Sequence, residues 1–264
     1  MPNAFEILTG RVVNPGAVIT PVTLATGDSL AVRSFPMTNI AYLDNFWALG
    51  TTPGVMRVRS PRIHDNVQGI RAGYTTLAPQ PALPVPIFQP LYPQDVLIAE
   101  MSGGAAETDI MSMLVYYRDL PGVNARLYRW EELKGRVANI LTVETQHTTG
   151  ATIGDYGGAL AINANFDLLQ ANVDYAILGY DTSVSVQAVG YRGPDFGNLR
   201  VGGPGTTQRL ETRDWFMELD LWHDDPYIPV INAANKGSTF VDVVHNAAAV
   251  SVTVQTVLAQ LKPV

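Results

Sequence analysis

A chain of 264 residues can bury a large core, either as one big β domain or as two domains of about 130 residues each. Its formal net charge is -7 with a sequence pI near 5.0, and its few Lys and Arg residues are scattered. No basic stripe is available to neutralise phosphates, which argues against direct, sequence-specific nucleic-acid binding. The absence of cysteine removes disulfides, thiolate nucleophiles and Cys-based zinc sites together, so packing must hold the fold.

Charged residues make up only 16% of the chain and hydrophobic ones 47%, against about 25% charged in an ordinary soluble domain. Much of the surface is therefore expected to be covered. No window approaches 18 uninterrupted apolar residues, and the start MPNAFEILTG lacks the basic and apolar regions of a signal peptide. The expectation is a soluble protein, without a transmembrane segment, that hides surface against copies of itself or a partner.

From the N-terminus, strands are predicted for FEILTGRVV (5 to 13), AVITPVTLA (17 to 25), SLAVRSF (29 to 35), VMRVRS (55 to 60), DVLIAEM (95 to 101) and DIMSMLVYY (109 to 117). The second half adds ALAINANF (159 to 166), DYAILGY (174 to 180), SVSVQAVGY (183 to 191), WFMELDLW (215 to 222), TFVDVVH (239 to 245) and VSVTVQTVLAQL (250 to 261). Several alternate apolar and polar residues with period 2 and are rich in Val, Ile, Thr and aromatics. Helix is predicted over 125 to 141, where Leu127, Trp130 and Leu133 fall three apart, and in NFDLLQANV (165 to 173).

Short strands separated by Gly and Pro turns, without regular helix alternation, predict an all-β fold of antiparallel sandwiches with one or two short helices. Setting residues 83 to 101 above 228 to 246, at an offset of 145, matches Pro84 with Pro229, Val85 with Val230, Val96 with Val241 and Ile98 with Val243. Each half then ends in an antiparallel hairpin. A duplication predicts a first sandwich over 1–124, a helical junction over 125–145 and a second sandwich over 146–264; chance recurrence in a β-rich chain is the alternative.

The chemical candidates are few. His223, Asp224 and Asp225 combine imidazole with carboxylates, but neighbours at a strand end point apart, and Pro226 follows. A turn after strand 215 to 222 is the preferred reading, with a structural calcium on Asp224 or Asp225 as the alternative. His64 and Asp65 sit in a turn-like context without an activated serine; Ser102 precedes no helix and there is no GxSxG. His147 and His245 stand alone and are read as surface or capping residues.

Glu218 and Asp220, two apart on a predicted strand face, could serve a glycosidase but read better as a solvent face. RGPDFGNLRVGGPG (192 to 205) has neither the GK[ST] ending of a P-loop nor GxGxxG. It is predicted to be a long shaped loop whose Arg192 and Arg200, with Arg209 after it, form inter-subunit salt bridges. No catalytic, cofactor-binding or metal residue is assigned, and no enzyme activity is expected.

The two terminal hairpins (95 to 117 and 239 to 261), the helical segment between the halves and the low charge resemble the double jelly-roll major coat proteins of tailless icosahedral bacterial and archaeal viruses. The resemblance is architectural, and the chain is short for that family. It implies a homotrimer tiling a capsid shell in the virion, its partners copies of itself and other virion proteins. The alternative is a β-sandwich carbohydrate- or receptor-binding module, which needs Trp or Tyr on an open face. Trp47, Trp130, Trp215 and Trp222 mostly lie inside apolar-patterned segments instead.

Overall fold

The alternating and apolar runs of the first half form β1 (Ala4–Val13), β2 (Thr20–Pro21), β3 (Thr23–Leu24), β4 (Ala41–Leu49) and β5 (Gly54–Arg59). They continue through β6 (Ile70–Tyr74), β7 (Gln89–Leu91), β8 (Ile98–Ser102) and β9 (Thr108–Tyr117). The computed structural model describes residues 3–24, 41–63, 67–76, 79–83, 88–92, 97–206 and 212–263. Strand 29 to 35, the pair His64 and Asp65, Arg209, and Pro84, Val85 and Val96 of the aligned segment lie outside the described residues.

After a connecting strand β10 (Leu127–Tyr128), a one-turn helix α1 (Trp130–Leu133) and a 3-10 turn (Lys134–Arg136), the second half runs through β11 (Val137–Thr148), β12 (Leu160–Ala161) and β13 (Asp174–Thr182). The strands β14 (Val186–Arg192) and β15 (Arg200–Gly205) precede a helix α2 (Trp215–His223). Then come β16 (Ile228–Asn232), a second 3-10 turn (Ala233–Ser238), β17 (Phe240–Val244) and β18 (Ser251–Leu261).

Two halves have the same winding. In the first, sheet one has the order β3-β1-β9-β4-β7 and sheet two β2-β8-β5-β6. In the second, sheet three has the order β12-β17-β14-β15 and sheet four β10-β16-β13-β18-β11. Leaving β3 and β10 aside, the strands of each half pair first with eighth, third and sixth beside them, and second with seventh, fourth and fifth beside them. That is an eight-stranded antiparallel jelly roll in each half. Even an irregularity is repeated: the β4 and β9 register skips Asp44, and the β13 and β18 register skips Leu178. Leu114 stands in the first ladder where Val257 stands in the second. The ungapped alignment is out of step with this, since Ile98 opens β8 while Val243 lies near the end of β17.

Sheet one is buried on both faces. Leu8, Met111, Met113, Val115 and Tyr117 meet Met56, Val58, Ala99 and Met101 of sheet two in one core. Phe5, Ile7, Trp47, Leu114 and Tyr116 point the other way and join a second core with Val189, Val201, Phe216, Tyr227 and the inner residues of sheets three and four. The two sandwiches are thus packed through a dry seam. Its polar contacts are built into the fold: Trp47 Nε1 donates to Gln187 O at 2.6 Å, and Gln187 Nε2 donates to Ser112 Oγ at 3.0 Å. The seam gives the low charge content an internal cause, because surface hidden by one half is supplied by the other.

The sequence reading is corrected in five places. The predicted terminal hairpins do not form, since β8 pairs with β2 and β5 while β9 pairs with β1 and β4, and β17 pairs with β12 and β14 while β18 pairs with β11 and β13. The predicted helix over 125 to 141 ends after one turn, where Lys134, Gly135 and Arg136 form a 3-10 turn and β-branched Val137, Thr142, Val143 and Thr145 continue as β11. Residues 165–173 form no helix. WFMELDLW is α2 rather than a strand: it has no β-branched residue, and Trp215, Phe216, Leu219 and His223 are buried at helical spacing. RGPDFGNLRVGGPG is a hairpin rather than a long loop. Its glycines answer close packing, since a Cβ on Gly202 would overlap Val189 O and one on Gly203 would overlap the Trp215 indole.

Candidate functional site

Helix α2 positions most of the residues singled out from the sequence. It follows Asp214, ends with Asp224 in the left-handed region (φ 55°) with its N–H on Asp220 O at 2.9 Å, and is stopped by Pro226. Gly179 of β13 makes room for the approach, because a Cβ there would overlap the carbonyl oxygens of Thr212 and Arg213. Trp215 Nε1 donates to Gly202 O at 3.2 Å, tying the helix to the edge of sheet three.

His223 turns inward at the end of this helix. Its Nε2 lies 2.8 Å from Asp44 Oδ1, and both side chains are wholly buried. Tyr227 Oη donates to Asp44 Oδ2 at 2.9 Å, and burial next to Asp44 drives the Tyr227 pKa well above the usual phenol range. Phe88 covers the imidazole at a centroid distance of 4.2 Å, and Tyr116 stacks on Tyr227 at 4.7 Å. Asp44 is the bulged residue of β4, so the irregularity aims a carboxylate across the seam at His223 and Tyr227. All three side chains of this trio are buried. Its chemistry is that of a polar pin between the halves.

Asp224 and Asp225 do not converge with His223. Asp224 pairs with Arg129, and Asp225 accepts from Arg118 at 2.7 Å, whose guanidinium lies 4.9 Å from the Tyr42 ring centroid. Asp-Asp-Pro is thus a turn, as expected, but one that follows a helix. Glu218 and Asp220 are also separated, since two residues span about 200° around a helix. Asp220 is buried, takes the Trp130 N–H on Oδ2 at 3.0 Å, and has its pKa raised by burial. Glu218 lines grooves on either side of α2.

The other two described histidines serve the fold. His147 is buried on the inner face of β11, not at the surface, with Nε2 3.0 Å from Thr145 Oγ1 and its pKa lowered by burial. His245 caps a turn, its Nδ1 accepting from the Ala247 N–H at 2.8 Å. Arg192 and Arg200 pair within the chain with buried Asp242, at 3.3 and 2.9 Å, rather than being left for another subunit.

A second titratable cluster, missed in the sequence, closes one end of the first sandwich. Asp109 is wholly buried at the start of β9, with the Tyr74 hydroxyl 2.5 Å from Oδ2 and also 2.8 Å from Ser102 O. The Tyr74 hydroxyl is the donor to both, so its single proton is divided between the carboxylate and the Ser102 carbonyl. Burial raises the Asp109 pKa to about 6, with Tyr74 opposing and Glu107 adding to the rise. Backbone crowds it: Cβ atoms on Gly50 or Gly103 would overlap its carboxylate. The available sequence signal was a buried-strand aspartate bracketed by SGG and by Gly50 and Gly54.

Two grooves flank α2. One, of about 400 Å³, runs between Trp215, Glu218 and Trp222 of the helix and Pro79, Gln80 and Pro81 of the first half. The other, of about 350 Å³, lies between α1 and α2 and is lined by Trp130, Met217 and Leu221. Among the described residues no group of three or more His, Asp and Glu side chains is gathered as a metal's ligands, and no described helix is long and apolar enough to cross a membrane.

No protein-family model matches the chain, and no curated protein matches it. Among solved structures the chain is similar to the PBSX exported protein XepA, with 11% identity, a TM-score of 0.29, and coverage of 96% of this chain and 86% of that one. A likeness at that level carries no argument about function.

Proposed function

We propose that this chain is a structural protein that assembles into a viral capsid shell as its major coat protein, with the virion as its location and no catalytic role. The observation that supports this reading is the tandem of two complete jelly rolls with one winding, fused through a dry seam. Jelly rolls with eight strands are a shell-forming architecture, and two in one chain present pseudo-equivalent lateral surfaces to neighbours. The site inventory supports a structural role as well. Several of its buried polar groups pin the halves together or close a sandwich end.

Purified protein is examined by negative-stain electron microscopy and by light scattering across concentration. Trimers or closed shells are the expected result, and a strict monomer at every concentration overturns the reading. The groove containing Trp222 and Glu218 supports a second reading, a carbohydrate- or receptor-binding module, because a partly buried indole beside a carboxylate suits a sugar ring. Quenching of Trp fluorescence by simple saccharides, lost in Trp222→Ala, is the outcome that would favour it.

A further inference from the structure

We propose that the outer edge of β11 is a docking edge for the β11 of a second copy of this chain, paired antiparallel about a two-fold axis at Thr142. The inference rests on the self-assembly reading and names a surface for it. β11 is the terminal strand of sheet four and pairs with β18 along one side only. The backbone directions follow from two contacts. Thr149 N donates to Val250 O on the β18 side, whereas Gln146 N donates to Asn165 Oδ1 on the other side. Neighbouring residues of an antiparallel strand alternate sides, and the β11 register is regular from Asn139 to Thr148. The N–H and C=O groups of Ile140, Thr142 and Glu144 therefore face away from β18. Among the described residues none of them has a backbone partner.

Proteins protect such edges with Pro, Lys, bulges or covering segments. Residues 138–144, ANILTVE, hold no Pro, no Gly and one charge, and Ile140 is 57% exposed. The matching ladders set Ile7 of β1 against Thr142 of β11, so Gly10 and Arg11, which carry the antiparallel strand β3, correspond to Thr145 and Gln146, where Asn165 takes the Gln146 N–H. After β11 the chain turns instead toward the first half, where Asp155 and Ile153 O hold Arg11. Among the described residues no strand covers the outer edge of β11.

A second β11 fits this edge. With the two-fold at Thr142, Ile140 lies opposite Glu144 of the other copy and Thr142 opposite itself, so no two carboxylates are opposed and all three outward residues pair. The edge offers one short ladder, which suits one contact of a larger assembly rather than a tight dimer by itself.

The test combines hydrogen exchange on assembled full-length protein with two variants. Thr142→Pro removes an outward N–H that no ladder of the fold uses, and Ile140→Lys places a charge on the edge. The expected result is slowed exchange at Ile140, Thr142 and Glu144 in the assembled material, and loss of association in both variants at unchanged thermal stability. If assemblies form but these three amides exchange as fast as in the monomer, or if Ile140→Lys associates like the parent, the edge inference fails while the coat reading stands. A parent chain that never associates overturns both.

Discussion

The two sandwiches share one winding and differ in how wet they are. In β9, TDIMSMLVYY, nine consecutive residues are buried, while its counterpart β18, SVTVQTVLAQL, alternates between exposed and buried before it closes. β1 is buried along most of its length, whereas β11 is open at Ala138, Asn139 and Ile140. Sheet one lies between sheet two and the second half, so both of its faces must be apolar. Sheet four is open on its outer face along β11 and the start of β18, whereas β13 in its middle is buried along eight consecutive residues. Position in the stack, not strand order, therefore decides which strand reads as a continuous apolar run and which as an alternating one. β5 and β6 at the outside of the first half alternate, while β14 and β15 beside the seam are buried along nearly all their length.

The strongest way to break that arrangement is to remove the seam. Trp47→Ala takes out a wholly buried indole together with its hydrogen bond to Gln187 O. The expected cost is about 3–5 kcal/mol, from lost burial and the cavity left behind. Calorimetry should then separate one cooperative transition into two, as the halves lose their coupling. A single transition at an unchanged midpoint would show that the seam adds little.

A smaller effect is expected at the pin. Asp44→Ala leaves the Tyr227 hydroxyl buried without its acceptor and takes away the carboxylate beside His223 Nε2, at about 1–3 kcal/mol in denaturant unfolding. Asp44→Asn keeps one acceptor and should cost less. The second half provides the control: its bulged residue, Leu178, carries no polar partner to lose.

The first half should also carry a pH dependence through Asp109. Its folded pKa of about 6 lies above the ordinary 3.8, so the folded state binds this proton more tightly than the unfolded one. The stabilisation is complete below about pH 4 and is lost as pH rises through 6. Screening included, the loss is on the order of 1–2 kcal/mol, followed by melting between pH 4.5 and 7. Asp109→Asn should flatten that slope; a slope that persists in the variant places the proton elsewhere.

The fold class and several long strands were legible because period-2 alternation survives wherever one face is open, as in VSVTVQTVLAQL. By contrast β6, β7, β15 and β16 were not read as strands, and the strand expected over 159 to 166 is only Leu160–Ala161. β4 was not legible, since Asp44 and Asn45 interrupt the apolar run of AYLDNFWAL; Asp44 is a bulge that faces the seam, and Asn45 binds Ala82 and Leu83. α2 was read as a strand because Glu218 and Asp220 alternate with apolar residues by coincidence, and only burial at Trp215, Leu219 and His223 reveals the period of 3.6. The hairpin at 192–205 was hidden by glycines whose reason, contact with Trp215 and Ile7, lies in distant segments. Of the polar sites, His223 was found as a residue, but its partner Asp44 lies far away in sequence and carries no local signal.

The smallest expected effect concerns the acidic turn itself. Asp224 holds a left-handed backbone (φ 55°) that costs a non-glycine residue about 1 kcal/mol, and its carboxylate pairs with a partly exposed Arg129. An exposed pair of this kind contributes roughly 0–1 kcal/mol. In Asp224→Gly the relief of the backbone and the loss of the pair oppose each other, so the melting temperature should move by less than about 2 °C. Asp225→Ala lacks the backbone gain and removes the contact with Arg118, which leaves the guanidinium over Tyr42 without its carboxylate. It should therefore be the more damaging of the two. Equal and large losses in both variants would mean that the turn anchors the seam as firmly as the buried pin beside it.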